Sequence, residues 1–189
     1  MTSHKLFISV GLAAAAAGAT VPASALADVT ATQVVNGGSL EFINGTPSDV
    51  TFDAVTLNGT DQFATQTQNF DVSDASGSNA GWNITATSTT FKTDNGHELA
   101  TDATTIQSAP DLTNLTGTLP TNVGSYPFTL PAAASAPTAS KMFIADTNTG
   151  MGQNRVTPTW RLAIPAATYA GGATHPYTST WTFTLVTGP

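Results

Sequence analysis

The chain has no cysteine, and only 9% of its residues are charged. Without cysteine there is no disulfide framework, no thiolate metal centre and no attachment point for an N-terminal lipid. Stability therefore has to come from burial alone. Basic residues are scarcer still, five Lys and Arg against twelve Asp and Glu, for a net charge of −7. Such a balance excludes a nucleic-acid binder, which needs a basic face. It also excludes electrostatic attachment to anionic lipid or anionic wall polymers. After residue 27 the imidazoles are His97 and His175, with no His-x-x-x-His pair to suggest zinc. No Gly-x-Ser-x-Gly elbow accompanies them, so nucleophilic catalysis has no signature. No cofactor is called for and the chain is read as a non-enzyme; an extracellular hydrolase using a carboxylate pair is the residual reading.

One apolar run stands out. Lys5 precedes Leu6 to Ala19, Val21-Pro22 interrupts, and Ala25-Leu26-Ala27 stands before Asp28 with the small-x-small form of a signal-peptidase site. A membrane span needs about 20 apolar residues, and this run is shorter and broken by glycine. The reading is a secretion signal over residues 1–27, removed on export, and one domain over residues 28–189 with no membrane contact thereafter. Loss of Lys5 leaves four basic against twelve acidic residues, a net charge of −8.

Helical periodicity is nearly absent past residue 27, whereas period-2 alternation recurs. Trp82, Ile84 and Ala86 alternate with Asn83, Thr85, Thr87 and Thr89 within Trp82 to Phe91. Val156, Trp160, Leu162 and Ile164 share a face opposite Thr157, Thr159 and Arg161. Tyr177, Trp181, Phe183 and Leu185 oppose Thr178, Thr180, Thr182 and Thr184. Such one-sided strands belong to antiparallel sheets with one wet face. Further strands are expected over 29–35, 39–43, 50–57, 66–72, 104–108, 128–130 and 141–145. Turn signals such as Asn36-Gly37-Gly38, Asn44-Gly45, Asn58-Gly59 and Asp94-Asn95-Gly96 punctuate them. The fold expected is all-β, an immunoglobulin-like antiparallel β-sandwich, with a barrel as the alternative. Pro131 to Pro137 reads as a loop.

The C-terminal segment runs Tyr177-Thr-Ser-Thr-Trp181-Thr182-Phe183-Thr-Leu185-Val-Thr-Gly-Pro189. It resembles the distal motif of the WxL domain of Gram-positive bacterial surface proteins, Y-x-x-x-L-T-W-x-L-x-x-x-P. Tyr177, Thr182, Leu185 and Pro189 are in register; Trp181 stands at the family's Leu and Phe183 at its Trp. Asp71 to Asp74 with Ala80-Gly81-Trp82-Asn-Ile84-Thr-Ala86 is similar to the family's first aromatic motif, Ile84 replacing Leu. Trp160-Arg-Leu162-Ala-Ile164-Pro165 resembles the strand before the final hairpin, and Val34 to Leu40 resembles the domain's opening. The resemblance implies a secreted, wall-associated surface protein held non-covalently to peptidoglycan or another wall glycan. It also implies partnership with other cell-surface proteins, and a subunit that docks onto such a protein is the alternative function.

The motif aromatics alternate with threonine, which makes core packing their expected role. A platform for stacking wall sugars needs exposed rings, and Tyr126, Tyr169 and Tyr177 are the candidate ligand contacts, the first two within Gly- and Pro-flanked loops. Asp146 with Asn148, and Asp94 with Glu98, have oxygen ligands on tight turns that could suit calcium. Neither matches the twelve-residue EF-hand loop, so no metal is called for.

Overall fold

The computed structural model describes residues 28–189; the expected leader lies outside the described residues. By contacts the chain divides into Met1–Val34 and Val35–Pro189. Of the first unit the described residues, 28–34, form no regular element. The second unit contains twelve strands and one short 3₁₀ turn, Gly172–Thr174. The strands are β1 (Leu40–Phe42), β2 (Gln62–Thr67), β3 (Phe70–Asp74), β4 (Trp82–Thr89), β5 (Thr104–Ile106) and β6 (Asp111–Gly117). They continue as β7 (Phe128–Thr129), β8 (Ala132–Ala133), β9 (Ser140–Ala145), β10 (Gly152–Thr157), β11 (Thr159–Ile164) and β12 (Trp181–Thr187). No helix among the described residues is long and apolar enough to cross a membrane.

The all-β, antiparallel expectation holds. The layers are divided into three ladders: β1-β3-β10-β6, β2-β11-β5-β7, and β12-β4 with β8 and β9 on the far side of β4. Among the described residues only the two-residue β4–β8 pairing is parallel. All three ladders contribute to one core, with Phe70, Val72 and Val156 from the first, Ile106, Phe128 and Trp160 from the second, and Trp82, Ile84, Met142 and Phe143 from the third.

Two expected strands are each two strands in different sheets. The 66–72 run breaks at Gln68-Asn69, and the 156–164 run breaks at Pro158, which has no N–H to give a ladder. Both breaks fall at the same level. β3 pairs β10 with Phe70 opposite Val156, β2 pairs β11 with Thr67 opposite Thr159, and Gln68 N–H donates to Pro158 O (3.2 Å) between them. A two-stranded ribbon thus turns a corner from one sheet into the next. Gln68 is buried there, its Oε1 accepting the Trp160 indole N–H at 2.9 Å.

Other expectations are corrected. Residues 29–35 form no strand and are exposed, and residues 50–57 run beside the core without joining a ladder. High β-propensity supplied the side chains for pairing but no partner edge. The face of β4 expected to be wet is largely buried, because Asn83 Nδ2 donates to Gly188 O (2.6 Å) and Thr87 Oγ1 to Pro137 O (2.7 Å). Pro137 thus covers Thr87 on that face, while β8 of the same loop pairs with the edge of β4. Strand β6, Asp111–Gly117, was absent from the expected set; its polar, mostly exposed residues give no clean alternation.

Local turn chemistry holds where glycine is needed. Asn44 and Gly45 take φ of 57° and 68°, and Thr46 N–H returns to Ile43 O at 3.1 Å. Gly150 (φ 74°) lets its carbonyl accept the buried Trp82 indole N–H at 3.1 Å; a Cβ there would stand 2.8 Å from that nitrogen.

Candidate functional site

Two hollows lie on either side of the chain at Pro176 to Thr178, which lines both. The larger is a cleft of about 920 Å³ between Pro47–Phe52 on one side and Pro176–Phe183 on the other, with Gln68, Phe91 and Leu162 between them. Trp181 is its hub. The ring lies 4.9 Å from Trp160, 6.2 Å from Phe91 and Phe183, and 6.3 Å from Phe52, mostly edge to face. Trp82 and Trp160 are wholly buried, whereas Trp181 and Phe183 are half-buried, so the C-terminal motif joins the core to the cleft. Phe183 meets Phe70 at 4.8 Å and 78°. Ile84 and Leu162 are buried, Leu185 packs against the core, and Thr182 and Pro189 are exposed.

Side chains from neighbouring strands fix the lip of the cleft. Gln68 Nε2 donates to Ser48 O (2.6 Å) and Gln66 Nε2 to Thr51 O (2.9 Å). Asp71 holds the preceding turn. Its buried carboxylate receives both arms of Arg155, Nε to Oδ1 at 2.6 Å and a terminal nitrogen to Oδ2 at 2.8 Å, and the Asn44 amide at 2.8 Å. The hydrogen bonds from Arg155 hold this carboxyl below its ordinary range, burial opposing them in part.

The second hollow, of about 630 Å³, is lined by Thr89, Thr90, Thr93 and Thr178, with Lys92, Asp94 and Glu98 among its walls. Lys92 Nζ pairs with Glu98 Oε1 at 2.8 Å, and His175 Nδ1 meets Asp94 Oδ1 at 2.7 Å. Beside it His97 stacks on Tyr169, ring centroids 3.8 Å apart and planes 13° apart. Asn95 Nδ2 donates to the Tyr169 hydroxyl (3.1 Å), and the Tyr177 hydroxyl donates to Tyr169 O (3.1 Å). Partial burial raises the Tyr177 phenol above its ordinary value.

Tyr169 and Tyr177 are therefore brought together, with Tyr169 39% exposed. Tyr126 stands apart, half-buried, donating to Met142 O (2.8 Å) and accepting from Asn122 (3.2 Å); burial raises its phenol too. The calcium candidates do not converge. The Asp94 and Glu98 carboxylates are engaged by His175 and Lys92, while Asp146 Oδ1 accepts the Thr147 N–H (2.8 Å) beside Asn148 at φ 60°. Among the described residues no three His, Cys, Asp or Glu group so as to hold a metal ion. Sequence reasoning missed Phe52, Phe91 and the threonines of the second hollow. Phe91 was visible as the last residue of the alternating 82–91 run, but nothing in the sequence places Phe52 across from it.

An aromatic cleft and a hydroxyl-lined hollow thus stand side by side on an all-β scaffold. The chain belongs to the WxL domain family: residues 38–189 match the family described as WxL domain, surface, cell wall-binding. It is thus a surface domain associated with the cell wall. No curated protein and no solved structure matches the chain.

Proposed function

We propose that this domain is secreted and holds the wall without catalysis, taking peptidoglycan at the hydroxyl-lined hollow and the adjoining tyrosines. The observation that supports this reading is that the exposed Tyr169 ring is held beside the hollow, by Asn95 next to the hollow's Asp94 and by the Tyr177 hydroxyl one residue from its Thr178. Peptidoglycan offers hydroxyls, amides and both signs of charge on its stem peptides. Threonine hydroxyls complement the hydroxyls and amides, Lys92 and Asp94 being already paired with Glu98 and His175, and a half-exposed aromatic ring gives an apolar face for a sugar. The net charge of −7 disfavours anionic wall polymers as the ligand.

Tyr169→Ala tests the assignment. The variant should sediment with purified peptidoglycan roughly tenfold less well, about 1.4 kcal/mol of binding. Its melting temperature should move little, since the ring packs mainly on His97 at the surface. Unchanged binding would remove the tyrosine pair from the site. A second reading, a subunit that docks onto another surface protein, is favoured by β12, whose outer edge has no partner strand among the described residues.

A further inference from the structure

We propose that the aromatic cleft accepts residues 29–35 of a second copy of this chain as an added β-strand, so that copies join head to tail. The acceptor is the outer edge of β12 and the residues leading into it. Thr180 O accepts Thr89 N–H, Gly188 N–H donates to Gly81 O, and Thr178 exchanges both its backbone bonds with Lys92. The even-numbered residues therefore direct their N–H and C=O groups toward β4. By alternation Trp181, Phe183 and Leu185 direct theirs outward, where β12 has no ladder partner among the described residues. Strand β1 packs alongside but shares no ladder with β12.

Natural sheet edges are shielded by charge, proline or a bulge. Strand β6 has such protection, a register shift opposite Gln153-Asn154, and β2 has the Thr51 segment bound to its Gln66. Trp181–Thr187 has neither charge, proline nor register shift. Asp49 is the sole charged residue lining the cleft beside it.

The donor is the sequence Val29-Thr-Ala-Thr-Gln-Val-Val35. It has high strand propensity and no charge, yet it forms no strand among the described residues: Val29, Val34 and Val35 are 90%, 71% and 87% exposed. Among the described residues its one side-chain hydrogen bond is local, Gln33 Nε2 to Val34 O. Seven extended residues span about 23 Å, the length of the seven-residue β12. Because donor and acceptor are different surfaces, the contact is heterologous, which builds open chains or closed rings according to the rotation between copies. Like-charged copies repel, so association should strengthen as salt rises from about 0.01 to 0.15 M, which shortens the Debye length from about 30 to 8 Å.

The test is sedimentation velocity of the full protein over a wide concentration range, beside Thr32→Pro and Thr32→Ala. Proline removes a ladder N–H from an exposed segment that forms no regular element. The parent and Thr32→Ala should associate increasingly with concentration, as open chains or rings, and Thr32→Pro should weaken association by at least about tenfold. A synthetic peptide of residues 29–35 should compete and shift the emission of Trp181, the half-buried tryptophan at the cleft. Monomer at every concentration overturns the proposal, as do assemblies indifferent to Thr32→Pro. A monomeric parent whose Trp181 emission changes in Thr32→Pro would show the segment seated in its own chain, which also overturns it. Peptidoglycan binding through the tyrosine hollow should be the same in all three proteins, which keeps the two readings separable.

Discussion

Trp160→Ala should lower the melting temperature by about 6–20 °C. The ring is wholly buried at the corner where the β2–β3 and β10–β11 ribbon passes between sheets. Truncating a buried Trp costs about 3–5 kcal/mol, and in a chain of this size each kcal/mol moves the midpoint by about 2–4 °C. The loss has two parts. One is the cavity beside Trp181 and Phe183, and the other is the Gln68 amide, whose Oε1 loses its 2.9 Å donor. Trp160→Phe separates them, keeping most of the packing while orphaning Gln68 at about 1–3 kcal/mol. Because Gln68 also holds Ser48 O, both variants should loosen the lip of the cleft. A midpoint within a few degrees of the parent for Trp160→Ala would contradict the placement of this ring in the core.

Asp71→Asn should cost about 3 kcal/mol at neutral pH, because it breaks a buried ion pair while leaving Arg155 in place. Arg155 is 37% exposed and recovers some solvation, which keeps the cost at the lower end for such pairs. The pH dependence has a definite sign. The folded state holds the Asp71 carboxyl below its ordinary range, so its contribution is complete above about pH 4 and falls away as pH drops toward the depressed value. Urea titrations from neutral pH down to about pH 2 should show the gap between parent and Asp71→Asn narrowing below about pH 4. A gap that stays constant through that window would mean that the carboxylate is not ionised in its pair with Arg155. In the same variant Asn44 and Arg155 compete for the one amide oxygen left at position 71, so the Pro47–Phe52 lip should become more accessible to proteolysis.

Much of the sheet structure is legible in the sequence because one face of a strand meets the core. Trp82, Ile84 and Ala86 announce β4, and Trp181, Phe183 and Leu185 announce β12. The division of the long runs was written there too, in Pro158, but the alternation of Val156, Trp160 and Leu162 across it masks a change of sheet. Residues 29–35 show the limit of propensity: valine and threonine favour a strand, and whether a neighbouring edge is free is decided elsewhere in the fold. The same limit governs the site. Tyr177 and Trp181 can be picked out by their motif, and Tyr169 by its loop. The cleft, by contrast, needs Phe52 from a segment more than a hundred residues away in the chain, and the second hollow needs threonines whose neighbours the pattern does not name.

The central claim, that this WxL domain holds the wall through uncharged contacts to peptidoglycan, is tested most directly by co-sedimentation with isolated peptidoglycan. Sacculi with and without teichoic acid should be compared, each at low salt and at about 0.5 M salt, where the Debye length falls to a few ångströms. A chain of net charge −7 is expected to bind stripped sacculi at least as well as intact ones, and to stay bound in high salt. Binding that requires teichoic acid, or that moderate salt reverses, would contradict the account.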